Sequence, residues 1–184
     1  MKLIILDRDG VINYDSDDYV KSPQEWIPLP GSLEAIARLK QNGFTVAVVT
    51  NQSGISRGFY DESTLQAMHD KMRHLLADLG ADVDLVLHCP HGPDDSCDCR
   101  KPLPGMFTEV ARHFGLPLPF DNVYAVGDTW RDLQAAKTTG ANPVLVKTGK
   151  GERTLKAHAA ELDLWQTPVF ENLADFVDYL LLNQ

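Results

Sequence analysis

The sequence predicts an α/β fold in which a parallel, Rossmann-like sheet carries helices on both faces. Short apolar runs rich in β-branched residues, such as residues 3–6 and 45–50, alternate with segments that repeat apolar residues at helical spacing. Strands that alternate with helices in this way form a parallel sheet covered on both sides. Acidic, hydroxyl and basic residues follow several of the strands. They are expected at the carboxyl edge, where such sheets bind ligands.

Strands are predicted from continuous apolar runs, and helices from amphipathic spacing with a glycine or serine near the helix end. The predicted strands lie at residues 3–6, 45–50, 83–88, 123–126 and 143–146. The predicted helices lie at residues 32–42, 65–79, 104–114, 131–139 and 173–182. Residues 152–168 receive no assignment. No repeat, low-complexity tract or linker interrupts the sequence, so residues 1–184 are expected to form one domain.

The composition argues against several classes of partner. The formal net charge is −9, from 26 acidic and 17 basic residues, and no basic stripe typical of nucleic-acid binding is visible. No apolar stretch approaches the ~20 residues that span a bilayer, and the N-terminal apolar run is too short for a signal peptide. We therefore expect a cytoplasmic protein that acts on a small molecule. The lack of an obvious exposed apolar stripe favours a monomer.

Three aspartates follow predicted strands and indicate a magnesium site. Asp7 and Asp9 come directly after the first strand, and Asp128 comes after the fourth. Carboxylate oxygens suit Mg²⁺, so these three residues are the predicted ligands. Thr50 and Lys101 would add a hydroxyl donor and a fixed positive charge for phosphoryl oxygens. Solvated loop ends are the alternative interpretation, but the recurrence of such residues after several strands favours a site.

These residue types also predict a chemistry, which is phosphoryl transfer through a covalent intermediate. The carboxylate of Asp7 would attack phosphorus, because a bound cation would offset its repulsion from a phosphate dianion. Asp9 would then act as the general acid on the leaving alkoxide and as the base for water. Asp132, four residues beyond Asp128, is interpreted as a structural partner of the site rather than a primary ligand.

A second group of residues predicts a structural zinc site. Cys89-Pro90-His91 precedes Cys97-Asp98-Cys99 by five residues, and three thiolates with one imidazole match a closed tetrahedral Zn²⁺ site. An odd, tight cluster of cysteines is untypical of a disulfide framework. The alternative is three reduced cysteines beside a chance histidine. A zinc loop here would run directly into Arg100 and Lys101 and hold both in place.

Taken together, these motifs resemble those of the haloacid dehalogenase superfamily. The resemblance lies in DRDGVIN at residues 7–13, Thr50-Asn51, Lys101, and GDTWRD at residues 127–132. It implies a Rossmann-like core with a central first strand, Asp7 as nucleophile and Asp9 as acid/base. Most members add a cap domain. The gaps between these motifs are short, so a nearly capless fold with a zinc-binding loop is expected.

A narrower resemblance is to the zinc-loop phosphatases of sugar bisphosphates within that superfamily. It rests on TNQSGISRG, the cysteine–histidine loop, CRKPLPGM and VKTGKG. It implies Mg²⁺ and Zn²⁺ as cofactors and hydrolysis of the 7-phosphate of a heptose 1,7-bisphosphate. It also implies the substrate-binding residues Asp7, Arg8, Asp9, Asp15, Ser16, Asp17, Asp18, Thr50, Asn51, Gln52, Ser53, Arg57, Arg100 and Lys101. The alternatives are a histidinol-phosphate phosphatase and, in another class, a receiver domain or a zinc-dependent interaction module.

The distal phosphate of a bisphosphate would need cations of its own. Arg57, Arg100, Lys147 and Lys150 are the candidates, because they lie nearest the catalytic edge along an otherwise acidic chain. A cationic amine would instead need acids, which Asp15, Asp17 and Asp18 supply, although these acids also suit the hydroxyl groups of a sugar. The cations therefore favour the bisphosphate, while the anomer of the sugar stays open.

Overall fold

The computed structural model describes residues 1–183 and contains a six-stranded, wholly parallel sheet in the order β3-β2-β1-β4-β5-β6. The strands are β1 (Lys2–Leu6), β2 (Phe44–Asn51), β3 (Leu85–Cys89), β4 (Tyr124–Gly127), β5 (Asn142–Val146) and β6 (Val169–Phe170). The helices are α1 (Ser32–Gln41), α2 (Glu62–Asp78), α3 (Gly105–Phe114), α4 (Trp130–Thr138), α5 (Gly151–Ala157), α6 (Ala159–Leu164) and α7 (Leu173–Leu182).

The central strand β1 is buried on both faces and divides the apolar core in two. Ile4 and Leu6 pack on one face with residues of α1, α2 and α7, whereas Leu3 and Ile5 pack on the other with residues of α3 and α4. This division follows from the two-residue period of a strand, which turns successive side chains to opposite faces. An all-apolar strand therefore requires helices on both sides, as the continuous run at residues 3–6 predicts.

The strand order places the functional motifs side by side. β1 pairs with β2 and β4, so the residues after β1, at the end of β2 and after β4 meet at one edge. The segment between β1 and α1 forms turns and isolated bridges, including one between Asp9 and Asn13. Within residues 1–183, no cap domain lies over this edge, and the capless Rossmann-like fold is confirmed.

The predicted strands and helices are all present, with shifts of a few residues at their ends. β3 begins two residues later than predicted and includes Cys89, the first residue of the zinc motif. The unassigned residues 152–168 contain all of α6 and all of α5 except its first residue, Gly151. β6, which the sequence analysis missed, is only two residues long and is defined by pairing with β5, with Val169 opposite Leu145. None of the helices described in residues 1–183 has the length and apolar character needed to cross a membrane.

Candidate active site

Asp7, Thr50 and Asp128 meet at the carboxyl edge of the sheet, on the floor of a cavity of about 310 Å³. Asp7 directly follows β1, Thr50 is the last but one residue of β2, and Asp128 directly follows β4. Lys101 enters the same floor from the loop between β3 and α3. The parallel strand order thus brings together four of the residues that the sequence analysis selected.

A buried ammonium group organises this floor. The Lys101 Nζ atom lies 2.9 Å from Asp7 Oδ1 and 2.8 Å from Asp132 Oδ1, and it donates to the Val49 carbonyl oxygen at 2.8 Å. All three ammonium protons are therefore placed on protein oxygens. Burial lowers the pKa of Lys101, but the negative charges of Asp132 and Asp7 outweigh it and raise the pKa above its usual range. Lys101 is thus a fixed positive charge held against Asp7.

Both carboxylate oxygens of Asp132 have partners within the protein, which fits a structural role without excluding Asp132 from the metal cluster. While Oδ1 faces Lys101, Oδ2 accepts hydrogen bonds from the Thr129 amide and hydroxyl at the start of α4, at 3.0 and 2.8 Å. Burial opposes ionisation of this carboxyl group, but the charge of Lys101 holds its pKa below the usual range. Asp132 therefore fixes both the helix start and the lysine.

Asp7 and Asp128 each keep one carboxylate oxygen available to a ligand. Asp7 Oδ1 accepts from Lys101 and from the Arg8 amide at 2.8 Å, while no described residue donates to Oδ2. Asp128 Oδ2 accepts from the Lys150 amide at 2.8 Å, while its buried Oδ1 has no partner among residues 1–183. Ligand oxygens of Asp7, Asp128 and Asp132 all lie within 4.8 Å of one another, which fits a shared cation.

The electrostatics of the site also fit a cation. Burial and the charge of Asp132 raise the pKa of Asp7 to about 7. Burial and the charges of Asp7 and Asp132 raise the pKa of Asp128 well above its usual range. A divalent ion would reverse this effect, because its positive charge favours the ionised carboxylates.

The carboxylate of Asp9 is held apart from this cluster, which bears on the predicted Mg²⁺ ligand set. Asp9 Oδ1 accepts from Arg8 Nε and Nη2 at 3.0 and 2.8 Å and from Asn13 Nδ2 at 2.8 Å. Gln52 Nε2 donates to Asp9 Oδ2 at 3.0 Å. The three-carboxylate cluster contains Asp132 in place of Asp9, so Asp9 as a metal ligand stays a prediction.

These contacts also set the charge of Asp9. Burial alone raises the pKa of Asp9, but the positive charge of Arg8 and the hydrogen bonds from Asn13 and Gln52 hold it below the usual range. Arg8 itself is wholly buried, and its Nη1 atom lies 3.3 Å from Nε2 of His69 on α2. Asp9 is thus an ionised carboxylate in a rigid setting, with Oδ2 turned toward Gln52.

A chain of three polar side chains fixes the orientation of Gln52. The Tyr60 hydroxyl donates to Gln52 Oε1 at 2.5 Å, which leaves the amide nitrogen to donate to Asp9 and, at 2.8 Å, to Thr50 Oγ1. Because Thr50 Oγ1 accepts this bond, its own proton is free to be donated to a ligand. Tyr60 was not selected from the sequence, where it follows the motif residues as an ordinary aromatic.

Asn51 ties the lysine loop to the sheet. Its side-chain amide donates to the Lys101 carbonyl oxygen at 3.1 Å and accepts from the Lys101 amide at 3.0 Å. Arg100, one residue earlier, donates from Nη1 to the His91 carbonyl oxygen at 3.2 Å. The loop that carries Arg100 and Lys101 is therefore fastened both to β2 and to the cysteine–histidine motif.

The four predicted zinc ligands form one cluster. His91 Nδ1 lies 3.4 Å from the sulfur atoms of both Cys89 and Cys99, and the Cys97 sulfur lies 4.0 Å from that of Cys89. A tetrahedral site with ordinary Zn–S and Zn–N bonds places neighbouring ligand atoms roughly 3.5–3.8 Å apart. The Cys89 and Cys99 sulfur atoms lie closer than this, at 2.9 Å, so a bound ion would require them to separate. The donor set itself fits a closed, four-ligand metal site.

Most of the predicted substrate-binding residues line the cavity, but two do not. The side chain of Arg8 is buried against Asp9 and His69 beneath the cavity, and Asp18 lies outside the cavity lining. Lys147 also lies outside the lining and pairs with Glu171 at 2.5 Å. The structure therefore gives these three side chains no contact with the cavity, and their part in substrate binding stays a prediction.

The remaining charged residues are distributed around the cavity walls. Arg57 lies over the Tyr19 ring, with its guanidinium carbon 5.8 Å from the ring centroid, and the Lys150 ammonium lies 3.4 Å from Asp15. Arg131, in the first turn of α4, lines the cavity near Arg100 and was not selected from the sequence. A helix-forming arginine between a motif tryptophan and Asp132 carries no distinctive signal of its own.

Comparisons with known proteins agree with this geometry. Residues 98–176 match the model of the HAD-hydrolase-like family. The D-glycero-β-D-manno-heptose-1,7-bisphosphate 7-phosphatase of Pseudomonas putida is 56% identical over 174 residues, which cover 95% of this chain and 96% of the relative. The enzyme of that name from Pseudomonas aeruginosa is 55% identical over 179 residues, which cover 97% of each chain.

Two solved structures extend the likeness to the whole fold. The crystal structure of D,D-heptose 1,7-bisphosphate phosphatase from B. bronchiseptica, complexed with magnesium and phosphate, matches with a TM-score of 0.92 and 53% identity over 100% of both chains. The Burkholderia thailandensis enzyme matches with a TM-score of 0.74 and 41% identity, over 98% of this chain and 99% of the other. This chain therefore belongs to the haloacid dehalogenase-like hydrolases and, within them, to the family of the heptose-bisphosphate phosphatases. The receiver-domain alternative is set aside.

Proposed function

We propose that this protein hydrolyses the 7-phosphate of D-glycero-β-D-manno-heptose 1,7-bisphosphate through a phospho-aspartate on Asp7. One observation carries the mechanism: Asp7 stands at the cavity floor with Oδ1 fixed by Lys101 and with Oδ2 free of donors among the described residues. The names of the relatives support the substrate and its β anomer. The reaction would serve the supply of nucleotide-activated heptose for the lipopolysaccharide core.

The first step is attack by Asp7 on the phosphorus atom. Because Oδ1 accepts from Lys101 and the Arg8 amide, Oδ2 is the oxygen available to form the new P–O bond. The bond from phosphorus to the sugar oxygen breaks as this bond forms, which leaves an acyl phosphate on Asp7 and an alkoxide that requires a proton. Lys101 keeps the attacking carboxylate in one orientation throughout.

Asp9 would supply that proton and later recover it. Because its carboxylate is ionised in the substrate-free site, Asp9 must first take up a proton from solvent as the anionic substrate binds, and the negative charge of the substrate favours this uptake. Its Oδ1 is saturated by Arg8 and Asn13, so Oδ2 is the oxygen that would carry the proton to the leaving group. In the second step, Asp9 Oδ2 takes a proton from the water that attacks the acyl phosphate, which releases phosphate and restores Asp7. The Gln52 amide holds Oδ2 at 3.0 Å and keeps it directed toward the cavity.

Thr50 and Lys101 act on the phosphoryl group in different ways. The Thr50 hydroxyl proton is free to bond a phosphoryl oxygen, because Thr50 Oγ1 already accepts from Gln52. All three Lys101 protons are engaged, so Lys101 contributes chiefly its fixed charge beside the reacting carboxylate. Of Thr50 and Lys101, Thr50 would therefore be the residue that donates a hydrogen bond directly to the phosphoryl group.

Two metal ions complete the proposal. Asp128 would hold Mg²⁺ through its unpartnered Oδ1 and Asp7 through Oδ1, the oxygen that does not attack phosphorus, with Asp9 retained as a predicted third ligand. The ion would neutralise charge on the phosphoryl oxygens. Cys89, His91, Cys97 and Cys99 would hold Zn²⁺ in a structural role. Magnesium in the related B. bronchiseptica structure supports the first assignment.

A substrate comparison tests the function. The value of kcat/KM should be higher for the heptose 1,7-bisphosphate than for histidinol phosphate in one buffer, and higher for the β than for the α anomer. Asp7→Asn should lower turnover by several orders of magnitude while thermal unfolding stays close to that of the wild type. A higher kcat/KM for histidinol phosphate would show that the protein is instead a histidinol-phosphate phosphatase. Wild-type activity in Asp7→Asn would exclude the covalent mechanism.

The two metals should separate in a second experiment. Mild chelation should remove Mg²⁺ and activity together, and added Mg²⁺ should restore both, while about one zinc per chain stays bound. Protein that is active with no zinc and three titratable thiols would exclude the zinc assignment. Sedimentation of the purified protein tests the monomer, and fractionation of cells that express it tests the cytoplasmic location. Both remain predictions.

A further inference from the structure

We propose that Arg131 and Arg100 together grip the distal phosphate of the substrate, the one that is not transferred. The proposal rests on the proposed function and assigns Arg131 as a residue that determines preference for a bisphosphate. Both arginines line the main cavity, and both also line a smaller cavity that adjoins it beside Cys97 and Pro102. They therefore stand together on one wall, at the side of the main cavity nearest the cysteine–histidine loop.

The buried ion pair at the cavity floor explains why the two arginines are neighbours. Arg100 precedes Lys101 and Arg131 precedes Asp132, and the Lys101–Asp132 contact at 2.8 Å draws the two backbones together. Lys101 and Asp132 turn into the protein and are buried. Arg100 is half-buried and Arg131 is exposed. The buried Lys101–Asp132 pair thus holds the carboxylate of Asp7, while Arg100 and Arg131 face the open cavity.

Asp95 also lines the smaller cavity, but its Oδ2 accepts from the Gly92 amide at 2.7 Å and it pairs with neither arginine. Within residues 1–183, neither Arg100 nor Arg131 forms an ion pair, and the Arg100 guanidinium has only the bond to the His91 carbonyl oxygen. Among the other cations near this edge, Lys150 pairs with Asp15 and Arg153 with Asp17, whereas Arg57 lies over the Tyr19 ring, apart from the two arginines of the smaller cavity. The two guanidinium groups line the same small cavity, so their like charges repel each other. The chain carries a net charge of −9, yet it leaves this pair uncompensated.

A phosphate dianion would supply the negatively charged partner that Arg100 and Arg131 lack. Each guanidinium presents a planar fork of N–H donors that can bind two phosphate oxygens, and a dianion offsets two positive charges at once. The part of the lining that contains Asp15 and Asp17 is less suited to this role, because both residues are acidic and Lys150 is already paired with Asp15. Those acids and Ser16 are better matched to sugar hydroxyl groups.

The test compares two substrates that share the transferred phosphate and differ in the distal one. KM and kcat are measured for the heptose 1,7-bisphosphate and for the heptose 7-phosphate with metal-loaded wild type, Arg131→Gln, Arg131→Lys and Arg100→Gln. Lys147→Gln is the control, since it removes one positive charge from the same edge outside the cavity. Circular dichroism and thermal unfolding of each variant exclude a loss of fold.

Arg131→Gln should raise KM for the bisphosphate about tenfold or more, the loss expected for a charge-assisted contact, with kcat nearly unchanged. KM for the 7-phosphate should stay within about twofold of the wild type, because that substrate never reaches the pair. KM of Arg131→Lys for the bisphosphate should lie between those of the wild type and Arg131→Gln, because lysine keeps the positive charge and loses the two-pronged donor geometry of the guanidinium group. Lys147→Gln should match the wild type on both substrates.

Two results would overturn the proposal. If Arg131→Gln changes both substrates equally, or neither, Arg131 does not contact the distal phosphate. If Lys147→Gln shows the selective loss instead, the distal phosphate lies on the other side of the cavity. Failure of the proposed function would be distinct, since wild-type protein would then not turn over the heptose bisphosphate. In that case, the wild type and the three arginine variants would be compared on fructose 1,6-bisphosphate and fructose 6-phosphate. If the ratio of the two KM values were the same in the variants as in the wild type, the proposed role of Arg100 and Arg131 would be refuted.

Discussion

His69 offers a direct test of the buried polar network beneath Asp9. The residue lies on α2, is 5% exposed, and places Nε2 at 3.3 Å from the Arg8 guanidinium that holds Asp9. Burial and the positive charge of Arg8 lower the pKa of His69 to about 3. A neutral imidazole is therefore required in the folded protein, because a protonated ring could not accept the bond from Arg8.

The pH dependence that follows has a definite sign. The ordinary pKa of 6.5 applies to the unfolded chain, so below pH 6.5 the unfolded chain binds a proton that the folded protein does not. The contribution to stability is complete above pH 6.5 and is lost as the pH falls toward 3. At pH 5.0 the loss is about 1.5 pH units at ~1.4 kcal/mol each, or about 2 kcal/mol relative to pH 7.5.

The assay is urea unfolding of wild type and His69→Gln at pH 7.5 and pH 5.0 in the same metal-containing buffer. Glutamine does not titrate, and its amide oxygen can still accept from Arg8. All other titrating groups are shared, so the difference between the two proteins isolates His69. The free energy of unfolding should fall about 2 kcal/mol further in the wild type than in the variant. Equal falls in both proteins would show that His69 is not held neutral, and the account of the Arg8 network would be refuted.

Three further predictions concern the site itself. Tyr60→Phe should lower kcat several-fold for an alkyl phosphate and little for p-nitrophenyl phosphate, whose leaving group needs no proton, because Gln52 would lose the 2.5 Å bond that orients it toward Asp9; equal losses on both would contradict the orienting role. Gly10→Ala should abolish Mg²⁺-dependent turnover, since a Cβ atom would lie 2.1 Å from Asp128 Oδ2 at a φ of +85°; an unchanged magnesium titration of activity would exclude this. Cys97→Ser should lower bound zinc and also kcat/KM through the Arg100 and Lys101 loop, as measured by metal analysis and phosphate release; full activity in zinc-free protein would separate the loop from catalysis.

The fold was predictable because its signals are local. The continuous apolar run at residues 3–6 predicts a buried strand, and the aspartate and glycine residues directly after it indicate that the strand ends there, at the carboxyl edge of the sheet. β6 carries no such signal, because two residues form a strand only through their register with Leu145 and Val146. The helices of residues 152–168 are short and mostly exposed, so neither has a clear apolar stripe.

The site was predictable where each residue follows a strand, and was missed where a long-range contact decides the role. Arg131 gains a role only because Lys101 meets Asp132 across 31 residues of sequence. In the sequence, His69 is indistinguishable from the buried residues Met68 and Met72 of the same helix. Only the structure shows that it contacts Arg8. No pattern within one helix carries that information.

The charges of the floor explain why Asp7 and Asp9, two residues apart, have separate environments. Lys101 pairs with Asp7 and Asp132 and is the ammonium group at this cluster, so ionisation of Asp7, Asp128 and Asp132 together would leave two negative charges buried without compensation. Such a deficit raises the pKa of Asp7 and Asp128, and a divalent ion removes it. Asp9 has its own guanidinium in Arg8 and adds nothing to the deficit. The proposed nucleophile, Asp7, is therefore favoured as a carboxylate by a bound cation, whereas the proposed acid/base group, Asp9, is already ionised. The buried side chain of Arg8, between them in sequence, produces this difference.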